Sequence, residues 1–255
     1  QEADSRERER LDAELHVAAR IQSAMLPHVF PAFPDRDEFE VFADMRPAKE
    51  VGGDFYDFFP VDEDHLALVM ADVSGKGVPA ALFMAIARTL IKSALLEGLS
   101  PGQALERVNN QLCEDNEAQM FVTAWLGVYR ISDGRLTAAN AGHEYPAVRK
   151  QGGPFALLKD RHGLVLAGMR DSRYTDYTVG LEPGDALFIY TDGAPEATDA
   201  DGELFGNERL LQALNREPFS RCEETVARVQ EEIGNFVGEA PQFDDLTMLC
   251  LTRKR

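Results

Sequence analysis

Residues 39–45 read FEVFADM, residues 53–61 GDFYDFFPV and residues 65–73 HLALVMADV. Each is a short run rich in aromatic and β-branched residues, partly alternating with polar ones and bounded by turn residues, which is the pattern of antiparallel strands. Downstream, Val78–Leu96 carries Ala and Leu throughout and reads as a helix. A second helix opens at Ser100-Pro101, where Ser is a natural N-cap and Pro suits the first turn. The runs FVTAWLGVYRI (121–131) and RLTAANAG (135–142) form a hairpin across Ser132-Asp133-Gly134. YPAVRK (145–150), YTDYTVGL (174–181) and DALFIYTD (185–192) continue the strands, helical patterns return at Asn207–Asn215 and Glu223–Val237, and LTMLCLTR (246–253) closes as a buried strand. Two batches of strands with helices in separate blocks predict an α+β layered domain in preference to a parallel sheet.

Upstream, DSRERERLDAELHVAARIQSAMLP (4–27) places Leu11, Leu15, Ala18, Gln22 and Met25 along one seam of a helix stopped by Pro27. The seam suits a short coiled coil or docking helix, and equally an amphipathic helix lying on its own domain. The expected organisation is a linker helix over residues 1–27 and one folded domain over 28–255. The chain begins at Gln1 rather than Met, so it is expected to be a segment of a larger protein.

A formal charge of −18 with no Lys/Arg block argues against nucleic acid or an anionic membrane as a direct partner. Cys113, Cys222 and Cys250 are widely spaced and form no CxxC pair, so neither zinc nor a redox dithiol is indicated and a reducing, cytoplasmic setting is expected. No apolar run of about 18 residues is read as a membrane span, and no insertion of this segment is expected.

Four motifs set an Asp at a strand end beside small residues: VGGDFYD (Asp54), MADVSGKG (Asp72), YTDGAPEA (Asp192) and QFDDLTM (Asp244, Asp245). Any one alone is ordinary turn chemistry. Together, converging at strand ends, they repel one another and call for a compensating cation. Ligation by oxygen alone, without His or Cys in these motifs, points to Mg²⁺ or Mn²⁺. Two such ions about 3.5–4 Å apart activate water for in-line attack on phosphorus.

The ordered set ARIQSAMLP (19–27), PAKEVGGDFYDFF (47–59), ALVMADVSGKGVPAALFMA (67–85), ANAGHEYPA (139–147), YTDGAPEATDADGELFG (190–206) and FDDLTM (243–248) resembles the PPM family of metal-dependent protein phosphatases. The likeness is to its bacterial branch, which controls sporulation and stress sigma factors, and it runs from about Ala19 to Leu251. The resemblance implies a four-layer αββα sandwich of two antiparallel sheets with two Mn²⁺ or Mg²⁺ ions in a cleft at one end. It implies that Asp72 bridges both metals, that the Val73 main-chain carbonyl binds one, that Asp192 and Asp244 are further ligands, and that Asp54 joins directly or through a metal-bound water. The family's D-x-[LM]-[ST] pattern selects Asp244 and leaves Asp245 a supporting role. The implied reaction is direct attack of a metal-bridging hydroxide on phosphoserine or phosphothreonine in a small regulatory protein, a STAS-like anti-sigma-factor antagonist. An N-terminal sensor outside this chain and homodimerisation are implied as well.

Eukaryotic relatives carry an arginine five residues before the position of Asp54; Lys49 stands there instead. Lysine lacks the bidentate guanidinium fork, so Lys49, Arg46 and Lys76 are all candidates to hold the phosphate. His143 is expected to order the cleft by hydrogen bonding, with substrate contact or proton donation as its alternative role. Gly75-Lys76-Gly77 lacks the spacing of a P-loop, and ATDADGELFGNE (197–208) has Ala197 in the first EF-hand ligand position, so a capped turn is expected there. Phe55, Tyr56, Phe58 and Phe59 suit core packing. The contrasting functional reading is a PPM-like dimerisation or partner-binding module without turnover. The retained carboxylates argue against it.

Overall fold

The computed structural model describes residues 2–219 and 221–255. Helix α1 (Glu2–Met25) is followed by β1 (Phe39–Arg46), β2 (Asp54–Pro60), β3 (His65–Val73), α2 (Val78–Leu96) and α3 (Pro101–Cys113). Then come β4 (Val122–Arg130), β5 (Arg135–Ala141), β6 (Ala147–Arg149), β7 (Phe155–Leu157), β8 (His162–Gly163), β9 (Tyr177–Gly180) and β10 (Ala186–Tyr190). Helices α4 (Gly206–Asn215) and α5 (Cys222–Val237) precede the last strand, β11 (Leu246–Arg253).

One sheet has the order β1-β11-β10-β6-β7; the other runs β2-β3-β4-β5-β8, with β9 also pairing β5. The ladders are antiparallel except for a short parallel pairing of Asn140 and Ala141 with His162 and Gly163, so the second sheet is mixed at that edge. The chain reaches β8 through an extended excursion rather than a hairpin, and only such a crossover permits a parallel neighbour. On β11, Leu249 and Leu251 face the opposing sheet with Leu187 and Ile189, whereas Met248 and Cys250 join Phe188 and Tyr190 under α4 and α5. A strand covered on both faces is apolar on both, which is why LTMLCLTR shows no simple alternation. Helices α2 and α3 cover the second sheet through Met84, Ile91, Leu95, Leu105 and Val108. The result is the αββα layering. Helix α3 starts in a full capping box between Ser100 and Gln103.

Two sequence expectations need correction. Helix α2 is long and apolar enough, by length and composition, to cross a membrane. It is instead a packing helix: Ala80, Met84, Ala87, Ile91, Ala94 and Leu95 are buried, and Arg88 forms an ion pair at 3.0 Å with the buried Asp57 of β2. The heptad seam of α1 also divides. Leu11 is exposed while Gln22 and Leu26 are buried, so the C-terminal turns dock on the domain and the rest of the seam does not. Phe55, Tyr56, Phe58 and Phe59 are core residues, and Asp199 accepts from the Asp201 and Glu203 amides in the turn before α4.

Candidate metal centre

The sheets bring their acidic ends together at one edge of the sandwich. Asp54 opens β2 and is the cross-strand partner of Asp72 near the end of β3. In the other sheet, the chain continues from β10 into Thr191 and Asp192, and the Thr191 amide donates to the Thr247 carbonyl at 3.1 Å, extending the β10–β11 pairing toward Asp244. Thus two carboxylates from each sheet converge.

Asp54 is buried, and its Oδ2 accepts from the hydroxyls of Thr191 at 2.6 Å and Thr247 at 2.5 Å. These threonines were not singled out from sequence, although Thr247 occupies the Ser/Thr place of the pattern that selects Asp244. Burial first, then the charges of Asp72 and Asp245, pushes the Asp54 carboxyl well above the usual carboxylate range; the two hydroxyls oppose the shift. Asp72 stands in hydrogen-bonding contact with both Asp54 and Asp192 and is pushed up to about 8, chiefly by burial and then by Asp192. Asp192 is raised by burial and by Asp244. Its Oδ1 is buried with no hydrogen-bond partner among the described residues. Glu144 and Glu196 lie within electrostatic reach of Asp192 and are both raised, by burial first. No motif marked either glutamate beforehand.

Asp245 has a different task from its neighbour. Its Oδ1 accepts from the Ala48 amide at 2.9 Å and its Oδ2 from the Asp54 amide at 3.3 Å, clamping the segment that delivers Asp54. The clamp requires bare backbone around it: a Cβ on Gly52 would stand 2.0 Å from Asp245 Oδ2, and one on Gly193 1.9 Å from the Asp245 carbonyl oxygen. The same segment is held from outside by Gln22, whose amide donates to the Gly52 carbonyl at 2.7 Å and accepts from its amide at 3.1 Å.

The cationic candidates separate. Lys49 and Lys76 line a small cleft with Asp72 and Asp244. Lys76 Nζ lies 3.7 Å from Asp244 Oδ2, donates to the Phe243 carbonyl and sits over the Phe243 ring. Arg46 is not in that cleft. It is engaged by Gln230 at 2.9 Å and Asp44 at 3.6 Å, because it closes β1 on the side covered by α5. His143 is buried with both ring nitrogens used: Nε2 donates to the Tyr190 carbonyl at 2.8 Å, so Nδ1 accepts from the Thr123 hydroxyl at 2.9 Å. Burial pushes its pKa down to about 4. A neutral, fully engaged imidazole joins the two sheets and has no nitrogen left for substrate, in keeping with the ordering role and against its alternative as a substrate contact.

Among the described residues the side chains do not by themselves close a three-ligand shell; Asp72 is instead in hydrogen-bonding contact with Asp54 and Asp192. The donor chemistry nevertheless fits a hard divalent cation. The ligands are all oxygen, the Asp192 Oδ1 is orphaned, and ionising the row without a counter-charge is unfavourable in a buried setting. A cation in that row satisfies all three. The Val73 carbonyl lies against Gly53, which lines the same cleft: a Cβ there would approach that oxygen to 2.8 Å.

Comparison with known proteins gives the chain its family. Residues 62–254 match the model of the family described as Stage II sporulation protein E (SpoIIE). The chain is 28% identical to the phosphoserine phosphatase RsbU of Bacillus subtilis, over 96% of this chain and 71% of that protein. It is 32% identical to protein IcfG of Synechocystis sp., over 94% of this chain and 41% of that one, so it spans about two fifths of that relative's length. Its structure superposes on the SiaA-PP2C domain of Pseudomonas aeruginosa with a TM-score of 0.82 and 26% identity, covering 96% of this chain and 98% of that one. Phosphatases of this type are metal-dependent. The chain belongs to the SpoIIE family of PP2C-type serine/threonine protein phosphatases.

Proposed function

We propose that the domain removes phosphate from phosphoserine or phosphothreonine of a small regulatory protein, an anti-sigma-factor antagonist of STAS-like fold, with two Mn²⁺ or Mg²⁺ ions held by Asp72, Asp192, Asp244, Asp54 and the Val73 carbonyl. The observation that carries this reading is the convergence of two carboxylates from each sheet around the orphaned Asp192 Oδ1. When bound, the ions supply acidification of a water and polarisation of the phosphoryl group. Asp72, placed between Asp54 and Asp192, is the residue suited to serve both ions. The Thr191 and Thr247 hydroxyls hold Asp54 in one rotamer and favour its ionised form. Asp245 fixes the backbone that carries Asp54, and His143 fixes the sheets against each other. Lys49 and Lys76 are placed to neutralise and orient the incoming phosphate.

Docking of α1 through Gln22 onto Gly52 supports control of this site by an upstream sensor, with the exposed part of α1 available for homodimerisation. The three free cysteines suit a cytoplasmic location. The test is phosphate release from a phosphoserine protein in Mn²⁺, with Asp72→Asn as control. Release by the wild type and none by the variant upholds the reading; equal release, or none from any phosphoprotein, overturns it. For the regulatory part, Leu15→Glu with Ala18→Glu is expected to change association state and activity together.

A further inference from the structure

Beside the carboxylate cluster lies a groove of about 140 Å³. Ile233 and Val237 of α5 with Pro241 and Leu246 give it an apolar side, polar residues such as Thr198 and Gln242 complete its lining, and it also touches Gly193 and Asp244, the latter a proposed metal ligand. The groove therefore opens directly from the site. A cavity of roughly 150 Å³ with aliphatic walls accommodates a group the size of benzene, so this one has room for a single aliphatic or aromatic side chain. At its mouth stands Phe243, 77% exposed, a large aromatic left outside the core. Aromatic anchors of this kind dominate binding energy at interfaces.

Charge narrows the occupant. Arg46 at the rim is already paired with Asp44 and Gln230, so it offers no free cation. Glu196 in the lining opposes an acidic side chain. An uncharged apolar residue is accepted and an acidic one rejected, which is specificity by repulsion as well as by attraction. No residue so far given a role in holding metal or phosphate needs this groove to be open.

Resting on the phosphatase reading above, we infer that the groove between α5 and the 240–244 segment is a specificity pocket for one apolar side chain flanking the phosphorylated residue of the substrate. Gly234 supplies the means of testing it. It lies on α5 along the groove, and a Cβ there meets no atom within 4 Å. Leucine at this position obstructs the groove while improving helix propensity, so Gly234→Leu is expected to be at least as stable as the wild type.

The experiment measures phosphate release, in Mn²⁺, from short phosphoserine peptides degenerate at all but one flanking position, which is fixed in turn as Leu, Phe, Gly or Asp. The wild type is expected to favour Leu or Phe over Asp at one flanking position by about tenfold in kcat/KM, the discrimination one hydrophobic pocket supplies. In Gly234→Leu that preference is expected to collapse through KM, with turnover of the Gly-flanked peptides retained. Val237→Ser, which strips the wall instead of filling the space, is expected to lower the same preference, and a merely structural role would move thermal stability and all peptides together. Absence of an apolar preference in the wild type, or its survival in both variants, overturns the pocket and leaves the phosphatase reading standing. Release from a phosphoprotein but from none of the peptides overturns the pocket alone, and failure on every peptide and every phosphoprotein overturns both.

Discussion

Asp54 and Asp72 face each other directly across the β2–β3 ladder, one opening its strand and the other nearly closing its own. Like charges in direct cross-strand register are destabilising, and here Asp54 is buried and Asp72 half-buried.

Replacing Asp72 by Asn therefore separates stability from activity. The unfolded chain ionises this carboxyl near 3.8, whereas the folded one holds its proton up to about 8. Its contribution to stability is thus present at low pH and lost as pH rises from about 4 through about 8. In EDTA at pH 8, Asp72→Asn is expected to unfold later than the wild type by about 1–3 kcal/mol in thermal melts. Phosphate release in Mn²⁺ is expected to fall by about 10³-fold.

Thr247 acts on metal through Asp54. Thr247→Val removes the 2.5 Å hydrogen bond to Asp54 Oδ2 with little change of shape. Mn²⁺ affinity by calorimetry is expected to drop about 10–100-fold, the usual cost of losing a group that orients a ligand, and Thr247→Ser is expected to restore most of it.

The Asp57–Arg88 pair pins α2 to β2. Burial raises Asp57 to about 6 even against the pull of Arg88 and Lys92. Arg88→Met leaves a buried carboxyl without its partner and is expected to cost about 3–5 kcal/mol. The sign with pH follows: the folded variant needs Asp57 protonated, so the loss deepens from pH 5 to pH 8 in denaturant titrations. Adding Asp57→Asn is expected to recover most of it.

His143 gives the opposite slope. Its folded pKa of about 4 lies below the ordinary imidazole value of 6.5, so its contribution to stability is complete above 6.5 and is lost as pH falls toward 4. His143→Gln is expected to flatten that acid limb in pH-dependent melts, at a cost of about 1–3 kcal/mol at pH 7 for the Tyr190 and Thr123 hydrogen bonds.

The strand and helix blocks and the four aspartates were legible in the sequence because each is announced locally. Hydrophobic runs end in Asp beside Gly, and Ser100-Pro101 announces a helix start. What stayed hidden depends on contacts between distant segments. The Gln22 bonds to Gly52, the Arg46 bond to Gln230 and the Asp245 bond to Ala48 all join separate parts of the chain, and none leaves a spacing rule behind. His143 was ambiguous for a related reason: AGHEYP looks the same whether its imidazole faces a cleft or spans two sheets. Helix α2 has the length and composition of a membrane span although it is read as a helix of the domain, because the small and aliphatic residues that pack a helix on a sheet also suit a bilayer.

Asp244 and Asp245 are adjacent in the chain yet do unlike work, one facing the cleft with Lys76 and the other clasping the Ala48 and Asp54 amides. Which does which is set by the phase of β11, locked between β1 and β10. The site thus has a reading frame. A one-residue insertion or deletion between Asp245 and the paired part of β11 pulls the pair out of phase, whereas substitutions there leave the phase alone. Among natural variants, the spacing from this pair to the strand is expected to be more constant than the composition of the strand.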